Sequence, residues 1–335
     1  MWDHLADPMA MVWTRVVWGA STALLILLCQ WLAKSAPRVT ELVRTGAQLG
    51  WLATWYPETY EMNCWRDNLD WMFAQTEWDL FGFQPSLEMC RWLDSPVWSE
   101  LFNLGYFSYF PMIAVLIFGI AWNEWRKKGS MATAGCLATG KPSPIVTTNT
   151  EEKGGVNTVE RGAKEGLVGR VGALVEVCFF LYYIIYIALP VTGPQFYFAA
   201  IGLDNAAAGI YPHLGTYFST HTDMLPAPGW DEGLFHNLVH WAHETGERPT
   251  AAFPSSHIGI STIVFILSWR HARQVVPVIA PLWLLLCCAT VYIQAHYVID
   301  AIAGLISAPI MLFLAHLLLY TSFNHGLHKA RTDKN

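Results

Sequence analysis

The sequence predicts an all-α, polytopic membrane protein with a core of six transmembrane helices and further interfacial helices on the extracytoplasmic side. The 335 residues are 53% hydrophobic and only 14% charged, and the mean hydropathy is +0.30. Several uninterrupted apolar stretches reach, or nearly reach, the roughly 20 residues that a helix needs to cross a bilayer. Trp and Tyr residues gather near the ends of these stretches, as is typical of side chains at the headgroup level.

The six predicted spans differ in length, and the fourth is the shortest. In chain order they are Val16–Ala33, Leu101–Trp122, Val171–Thr192, His257–Arg270 with an upstream extension over Ala251–Phe253, Val276–Ala295 and His296–Tyr320.

The connecting segments are assigned by composition. Residues 34–96 alternate aromatic and charged side chains and are too polar to span, so we expect interfacial helices there. Residues 123–170 include a Gly-, Thr-, Ser- and Lys-rich stretch without apolar periodicity, which predicts a flexible cytoplasmic loop. Residues 1–122 therefore hold two N-terminal spans, and residues 321–335 form a cytoplasmic tail.

The orientation follows from the basic residues. Most of the 20 Lys and Arg residues lie in the 123–170 segment, in the turn that contains Arg270 and Arg273, and after Tyr320. Because positive charge favours the cytoplasmic side, both termini are predicted to be cytoplasmic. The connections before the fourth and sixth spans are then extracytoplasmic, in a periplasm or a lumen.

Composition also limits the partners. The net charge is −6 and no basic run could follow a phosphate backbone, so nucleic acid is not an expected partner, whereas the bilayer is. Cys64 and Cys90 share one predicted extracytoplasmic segment, which leaves a disulfide open. The acidic N-terminus does not resemble a cleavable signal peptide.

The first chemical motif is Phe-Pro-Ser-Ser-His at residues 253–257, at the start of the fourth span. If a helix begins at Ser255 or Ser256, its free N–H groups and the serine hydroxyl favour a phosphate, and His257 lies in the first turn. A simple helix start with an interfacial histidine is the alternative.

The second motif is His-Tyr-Val-Ile-Asp at residues 296–300, at the same membrane face as the first. On a helix, His296 and Asp300 share one side, so the carboxylate can hold one ring N–H and leave the other nitrogen free to attack phosphorus. The alternative for Asp300 is an acid at the interface without a role in chemistry. The two motifs together predict a phosphoryl-transfer site.

Other polar residues are weaker candidates for substrate binding. Gln195 and Tyr197 follow a Pro-Val-Thr-Gly-Pro break and could contact a headgroup, although a simple helix end explains the break better. His236, His240 and His243 share one side of a short amphipathic helix. Without a fourth ligand at diagnostic spacing, they favour a polar pocket lining over a metal site.

These motifs resemble the type 2 phosphatidic acid phosphatase superfamily, in which Pro-Ser-Gly-His opens the fourth helix and His-x-x-x-Asp opens the sixth. The resemblance covers a catalytic core over residues 171–320. It implies that His296 is the nucleophile, Asp300 its orienting partner and His257 the general acid, and that neither a metal nor another cofactor is needed.

Two departures from the phosphatase pattern narrow the expected activity. Thr290 and Ala289 stand where that branch has an arginine after a serine, and the Lys-x6-Arg-Pro motif is absent, although Arg248-Pro249 could supply a cation. Fewer cations suit a phosphodiester better than a monoester dianion. The chain therefore looks closest to the branch of inositol phosphorylceramide synthases.

That resemblance implies a lipid phosphotransferase that moves a phospho-headgroup, such as phosphoinositol, from a glycerophospholipid donor to a lipid acceptor such as ceramide. Two alternatives stay open. The first is a phosphatase that hydrolyses a lipid phosphomonoester, and the second is a membrane scaffold or transporter without catalytic activity.

Overall fold

The computed structural model describes residues 8–139 and 166–332, and within these ranges the chain is all-α. Two short 3-10 turns lie at Tyr217–Ser219 and Arg273–Val275. The helices are α1 (Pro8–Leu32), α2 (Pro37–Asn63), α3 (Asp70–Phe81), α4 (Pro85–Trp92), α5 (Pro96–Phe107), α6 (Tyr109–Thr139), α7 (Leu167–Ala188), α8 (Pro194–Ile201), α9 (Leu203–Ala207), α10 (Leu234–Gly246), α11 (Ser256–His271), α12 (Val276–Tyr292) and α13 (Val298–Thr332).

Several apolar helices are compatible with a multi-pass membrane protein. Among the described residues, four single helices are long and apolar enough to cross a bilayer, and α5 with α6 forms a fifth candidate that bends by 54°. The four are Val12–Leu32, Leu167–Ala188, Arg273–Tyr292 and Val298–Leu319. The predicted six-span core is thus not reproduced as six separate long helices.

The predicted fourth span, α11, explains part of this difference. It has 16 residues, which at 1.5 Å per residue is about 24 Å, shorter than the roughly 30 Å hydrocarbon layer. It packs against α6, α7, α12 and α13, and Ile258, Ile260 and Ile263 are fully buried. The helix that carries His257 is therefore enclosed by the longer helices.

Helix α2 lies in the segment predicted to hold interfacial helices, and it runs parallel to α7 along most of its length. Contacts advance in step on both helices, from Glu41–Gly169 and Thr45–Gly172 to Leu52–Tyr183 and Asn63–Tyr186. The Glu41 carboxylate accepts the Gly169 N–H at 2.9 Å, which satisfies a free amide in the first turn of α7. The charged Glu41 side chain therefore contributes to the contact between α2 and α7.

Helix α1 is antiparallel to α2. Arg15 forms an ion pair with Glu58, and the Trp18 and Trp51 rings pack edge to face at 6.0 Å. Helix α1 therefore begins at the end of the bundle where α2 ends, and Asn63 there donates to Thr250, close to both histidine motifs. Since α13 begins at that end and runs away from it, the two ends of the described chain lie at opposite ends of the bundle.

Two boundaries also differ from the sequence prediction. Helix α6 continues to Thr139, into the segment predicted to be a loop from residue 123, and α13 continues to Thr332, into the predicted tail. The remainder of that loop, residues 140–165, lies outside the described residues. Cys64 and Cys90 are free thiols, so the disulfide left open above is not formed in this structure.

Candidate active site

His296 lies in the short connection between α12 and α13 and is only 3% exposed. Its backbone N–H donates to the Thr290 carbonyl at 3.0 Å, and its Nδ1 donates to the Ala252 carbonyl at 2.9 Å. A carbonyl oxygen can only accept, so Nδ1 carries the hydrogen and Nε2 of the neutral ring has the free lone pair. Burial lowers the pKa of His296 to about 4, which keeps the ring neutral at pH 7.

His257 lies in the first turn of α11, as the motif predicted. Ser255 is the N-cap, and its hydroxyl oxygen accepts the Ile258 N–H at 3.4 Å. The His257 ring is stacked on Tyr106 at 4.7 Å and lies 4.5 Å from the Tyr109 ring. These two phenol rings fix the plane of the imidazole.

The two histidines face each other. Nε2 of His296 is 3.4 Å from Nδ1 of His257, and the ring planes are at 64°. The structure therefore brings together the two side chains that the motifs predicted to converge, with the free nitrogen of His296 directed at its partner.

The Asp300 carboxylate lies near the His296 ring, but its hydrogen bond is to the backbone of Tyr297. Its Oδ2 accepts the backbone N–H of Tyr297 at 2.9 Å and is 3.7 Å from Nδ1 of His296. Asp300 is the third residue of α13, so this bond is the acidic half of a capping box. The hydrogen bond predicted between Asp300 and the imidazole is made instead by the Ala252 carbonyl, because His296 precedes the helix.

Two acids of α3 hold the segment that carries His296. Asp70, which is fully buried, accepts the N–H groups of Thr192 at 2.7 Å and Gly193 at 2.8 Å, and the Tyr297 hydroxyl at 3.1 Å. Glu77 accepts the Ile299 N–H at 3.1 Å through Oε1. Helix α3, in the predicted interfacial segment, thus fixes the residues on the C-terminal side of His296.

The predicted phosphate-binding residues are only partly available. The Ser256 N–H donates to the Tyr186 hydroxyl at 2.9 Å, and the Ser255 N–H donates to the Asp300 carbonyl at 3.1 Å. Arg248 is half-buried, and its Nη1 donates to the Glu247 carbonyl at 3.1 Å. Arg248 is therefore a half-buried cation bound to the backbone of the neighbouring Glu247.

The weaker candidates divide into two groups. Gln195 reaches the site, where its Nε2 donates to Glu247 at 3.4 Å, and the His243 ring meets Tyr106 edge to face at 5.5 Å. Tyr197 donates to the Pro212 carbonyl and packs in a separate apolar cluster.

The remaining histidines of α10 are further along the helix. The rings of His236 and His240 stack at 6.3 Å, and Nε2 of His236 donates to the Ala227 carbonyl. Within the described parts of the chain, no three or more His, Cys, Asp or Glu residues have the geometry of a metal site.

Glu247 is a site residue that the sequence analysis did not identify. Its Oε1 accepts from the Tyr56 hydroxyl at 3.5 Å and from Gln195, and it interacts electrostatically with His296. Burial raises its pKa to about 7. In the sequence, Glu247 directly precedes Arg248-Pro249, and this position is the signal that could have identified it.

Comparison with known proteins agrees with this geometry. Residues 168–314 match the family model of the PAP2 superfamily, and this segment contains His257, His296 and Asp300. No curated protein and no solved structure gives a significant match. The matched segment is less than half of the chain, and proteins of this superfamily generally have phosphatase or phosphotransferase chemistry.

Proposed function

We propose that this chain is an integral membrane lipid phosphotransferase that moves a phospho-headgroup from a glycerophospholipid to a lipid alcohol such as ceramide, at the extracytoplasmic face. The observation that carries this proposal is the contact between Nε2 of His296 and Nδ1 of His257, with Nδ1 of His296 already bound by Ala252. One ring thus offers a lone pair, and the other lies within proton-transfer distance of it.

The first half-reaction forms a phosphohistidine. Burial lowers the pKa of His257 well below its usual value, so this ring takes up a proton when the anionic phosphate binds beside it. Nε2 of His296 attacks phosphorus, the P–O bond to diacylglycerol breaks, and the protonated His257 gives its proton to the departing oxygen. In the second half, His257 takes the proton of the acceptor hydroxyl, whose oxygen bonds to phosphorus as the P–N bond breaks. His257 ends protonated again, so the cycle closes without a metal or redox step.

The two imidazole rings must adjust to receive a substrate. Reacting atoms approach to about 3–3.5 Å before bond formation, and the two imidazole nitrogens are themselves 3.4 Å apart. A phosphorus atom therefore binds to one side of this contact or separates the rings.

The charge of the site favours a phosphodiester over a monoester dianion. Thr290 is fully buried. Its hydroxyl donates to the Cys287 carbonyl, and its own carbonyl accepts the His296 N–H. A neutral residue with structural contacts therefore stands where the phosphatase branch has an arginine. Glu247 adds a carboxylate that partly offsets Arg248. Two cations would be expected for tight binding of a dianion.

The test uses purified protein in lipid vesicles. Headgroup-labelled phosphatidylinositol with ceramide should give labelled phosphorylceramide and diacylglycerol, and His296→Gln should give neither. Release of inorganic phosphate from phosphatidic acid without any transfer would instead establish the phosphatase alternative. Equal lipid conversion by the wild type and His296→Ala would establish a role other than catalysis at this site.

A further inference from the structure

Glu247 is a charged side chain of the site for which the proposed reaction has no use. It directly follows α10, and its backbone N–H donates to the His243 carbonyl at 3.0 Å. Its carboxylate meets Tyr56 of α2 and Gln195 of α8. Three separate elements therefore converge on this group.

The carboxylate is near enough to the histidine pair to affect a bound phosphate. It interacts electrostatically with His296 and with Tyr106, the phenol stacked on His257. Charges of like sign repel more strongly in a partly buried site than in water, and a dianion is repelled about twice as strongly as a monoanion.

The surrounding charges do not cancel this repulsion. Arg248 is the basic residue next to Glu247, and its guanidinium interacts with the Glu247 carboxylate and with Tyr60. Position 290, where an arginine would favour a dianion, holds a buried threonine. Position 290 therefore adds no positive charge that would offset the Glu247 carboxylate.

We propose that Glu247 is a specificity residue, which selects singly charged phosphodiesters and disfavours phosphomonoester dianions through repulsion by its carboxylate. This inference rests on the proposed transferase function, because it explains how a site with the histidine pair of a phosphatase avoids cleaving lipid phosphates. Tyr56 and Gln195 are positioning residues that hold the carboxylate in place.

The decisive measurement is the ratio of kcat/KM for phosphatidic acid to kcat/KM for phosphatidylinositol. It is made at about pH 8, where a phosphomonoester with a second pKa of about 6 is a dianion. Glu247→Gln should raise this ratio at least about tenfold, which corresponds to about 1.4 kcal/mol. Glu247→Asp keeps the charge and should stay near the wild-type ratio.

The matched control is Glu232→Gln, which removes the same charge from an exposed loop residue and should leave the ratio unchanged. An unchanged ratio in Glu247→Gln, or loss of both activities in a folded variant, overturns the inference. If the wild-type protein itself prefers phosphatidic acid, the proposed function fails, whatever the variants do.

A second readout needs no variant. Dodecyl phosphate and its methyl diester differ in charge but share one alkyl chain, so their inhibition constants on the wild-type protein compare the two phosphate charges directly. Tighter inhibition by the diester supports selection by Glu247, and tighter inhibition by the dianion contradicts it.

Discussion

Nδ1 of His296 donates to the carbonyl oxygen of Ala252 at 2.9 Å, and this bond determines which ring nitrogen can react. The preceding residue, Ala251, has a φ of 69°, in the left-handed region that is costly for residues other than glycine. A strained turn thus aims the carbonyl at the imidazole. A backbone carbonyl therefore binds Nδ1 of His296, which the sequence analysis expected Asp300 to do.

The pH dependence of headgroup removal should follow this neutral ring. Because burial lowers the pKa of His296 to about 4, the nucleophile stays unprotonated well below neutral pH. The single-turnover rate of diacylglycerol release should therefore show an acid limb near pH 4 that is assignable to His296. Glu247, whose pKa burial raises to about 7, is already protonated at this pH, so Glu247→Gln should leave the limb in place; loss of the limb in Glu247→Gln would contradict its assignment to His296.

Asp300 should act mainly through the helix start. Asp300→Ala removes the acceptor for the Tyr297 N–H and should lower the free energy of unfolding by about 1–2 kcal/mol. Asp300→Asn keeps a side-chain oxygen and should lose less stability and activity. Equal loss of activity in both variants, at equal stability, would show that the carboxylate charge itself is needed beside His296.

Glu77 should make stability depend on pH. Burial raises its folded-state pKa to about 8, whereas the unfolded value is close to 4.5. Between these values the folded protein holds a proton that the unfolded chain releases, so stability falls as pH rises, by at most about 1.4 kcal/mol per pH unit.

Glu77→Gln should remove this slope and keep the bond to the Ile299 N–H through its amide oxygen. Thermal unfolding in detergent between about pH 5 and pH 8 measures the effect. Asp79→Asn, on the exposed side of the same helix, is the control and should keep the wild-type slope.

The termini should lie on opposite sides of the membrane. With α2 parallel to α7 and α1 antiparallel to α2, the N-terminal end of α1 lies at the histidine end of the bundle. In this arrangement Lys34 and Arg38 lie at the same end of the bundle as the start of α7, which follows the basic 123–170 segment. Such grouping of basic residues at one end agrees with the positive-inside tendency.

Epitope tags at both termini and in the exposed turn at Asp231 test this topology by protease access in sealed vesicles. The N-terminal tag should be cleaved from the same side as the tag at Asp231, and the C-terminal tag from the other side. Cleavage of both terminal tags from one side would restore the orientation expected from the sequence.

The sequence was informative where local motifs set local structure. The Ser255 cap, the position of His257 and the all-α fold follow from short patterns. The contact of α2 with α7 has no such local signal, because it depends on Glu41 binding Gly169 in the first turn of a distant helix, 128 positions away.

The site residues that the sequence missed depend on contacts between distant segments. Ala252 binds His296 through its backbone, so no side chain indicates its role. Glu247 reaches Tyr56, 191 positions away, and Gln195, 52 positions away. Such contacts have no periodicity that could indicate them in advance.

The central claim is that His296 carries the headgroup as a phosphoramidate. The direct test incubates the protein with headgroup-labelled donor lipid without an acceptor, followed by rapid quenching and mapping of the labelled residue. We expect acid-labile label on His296 in an amount equal to the diacylglycerol released. The label should be lost on addition of ceramide and absent in His296→Gln, and His316→Gln is the control. Headgroup transfer without label on His296 would contradict it.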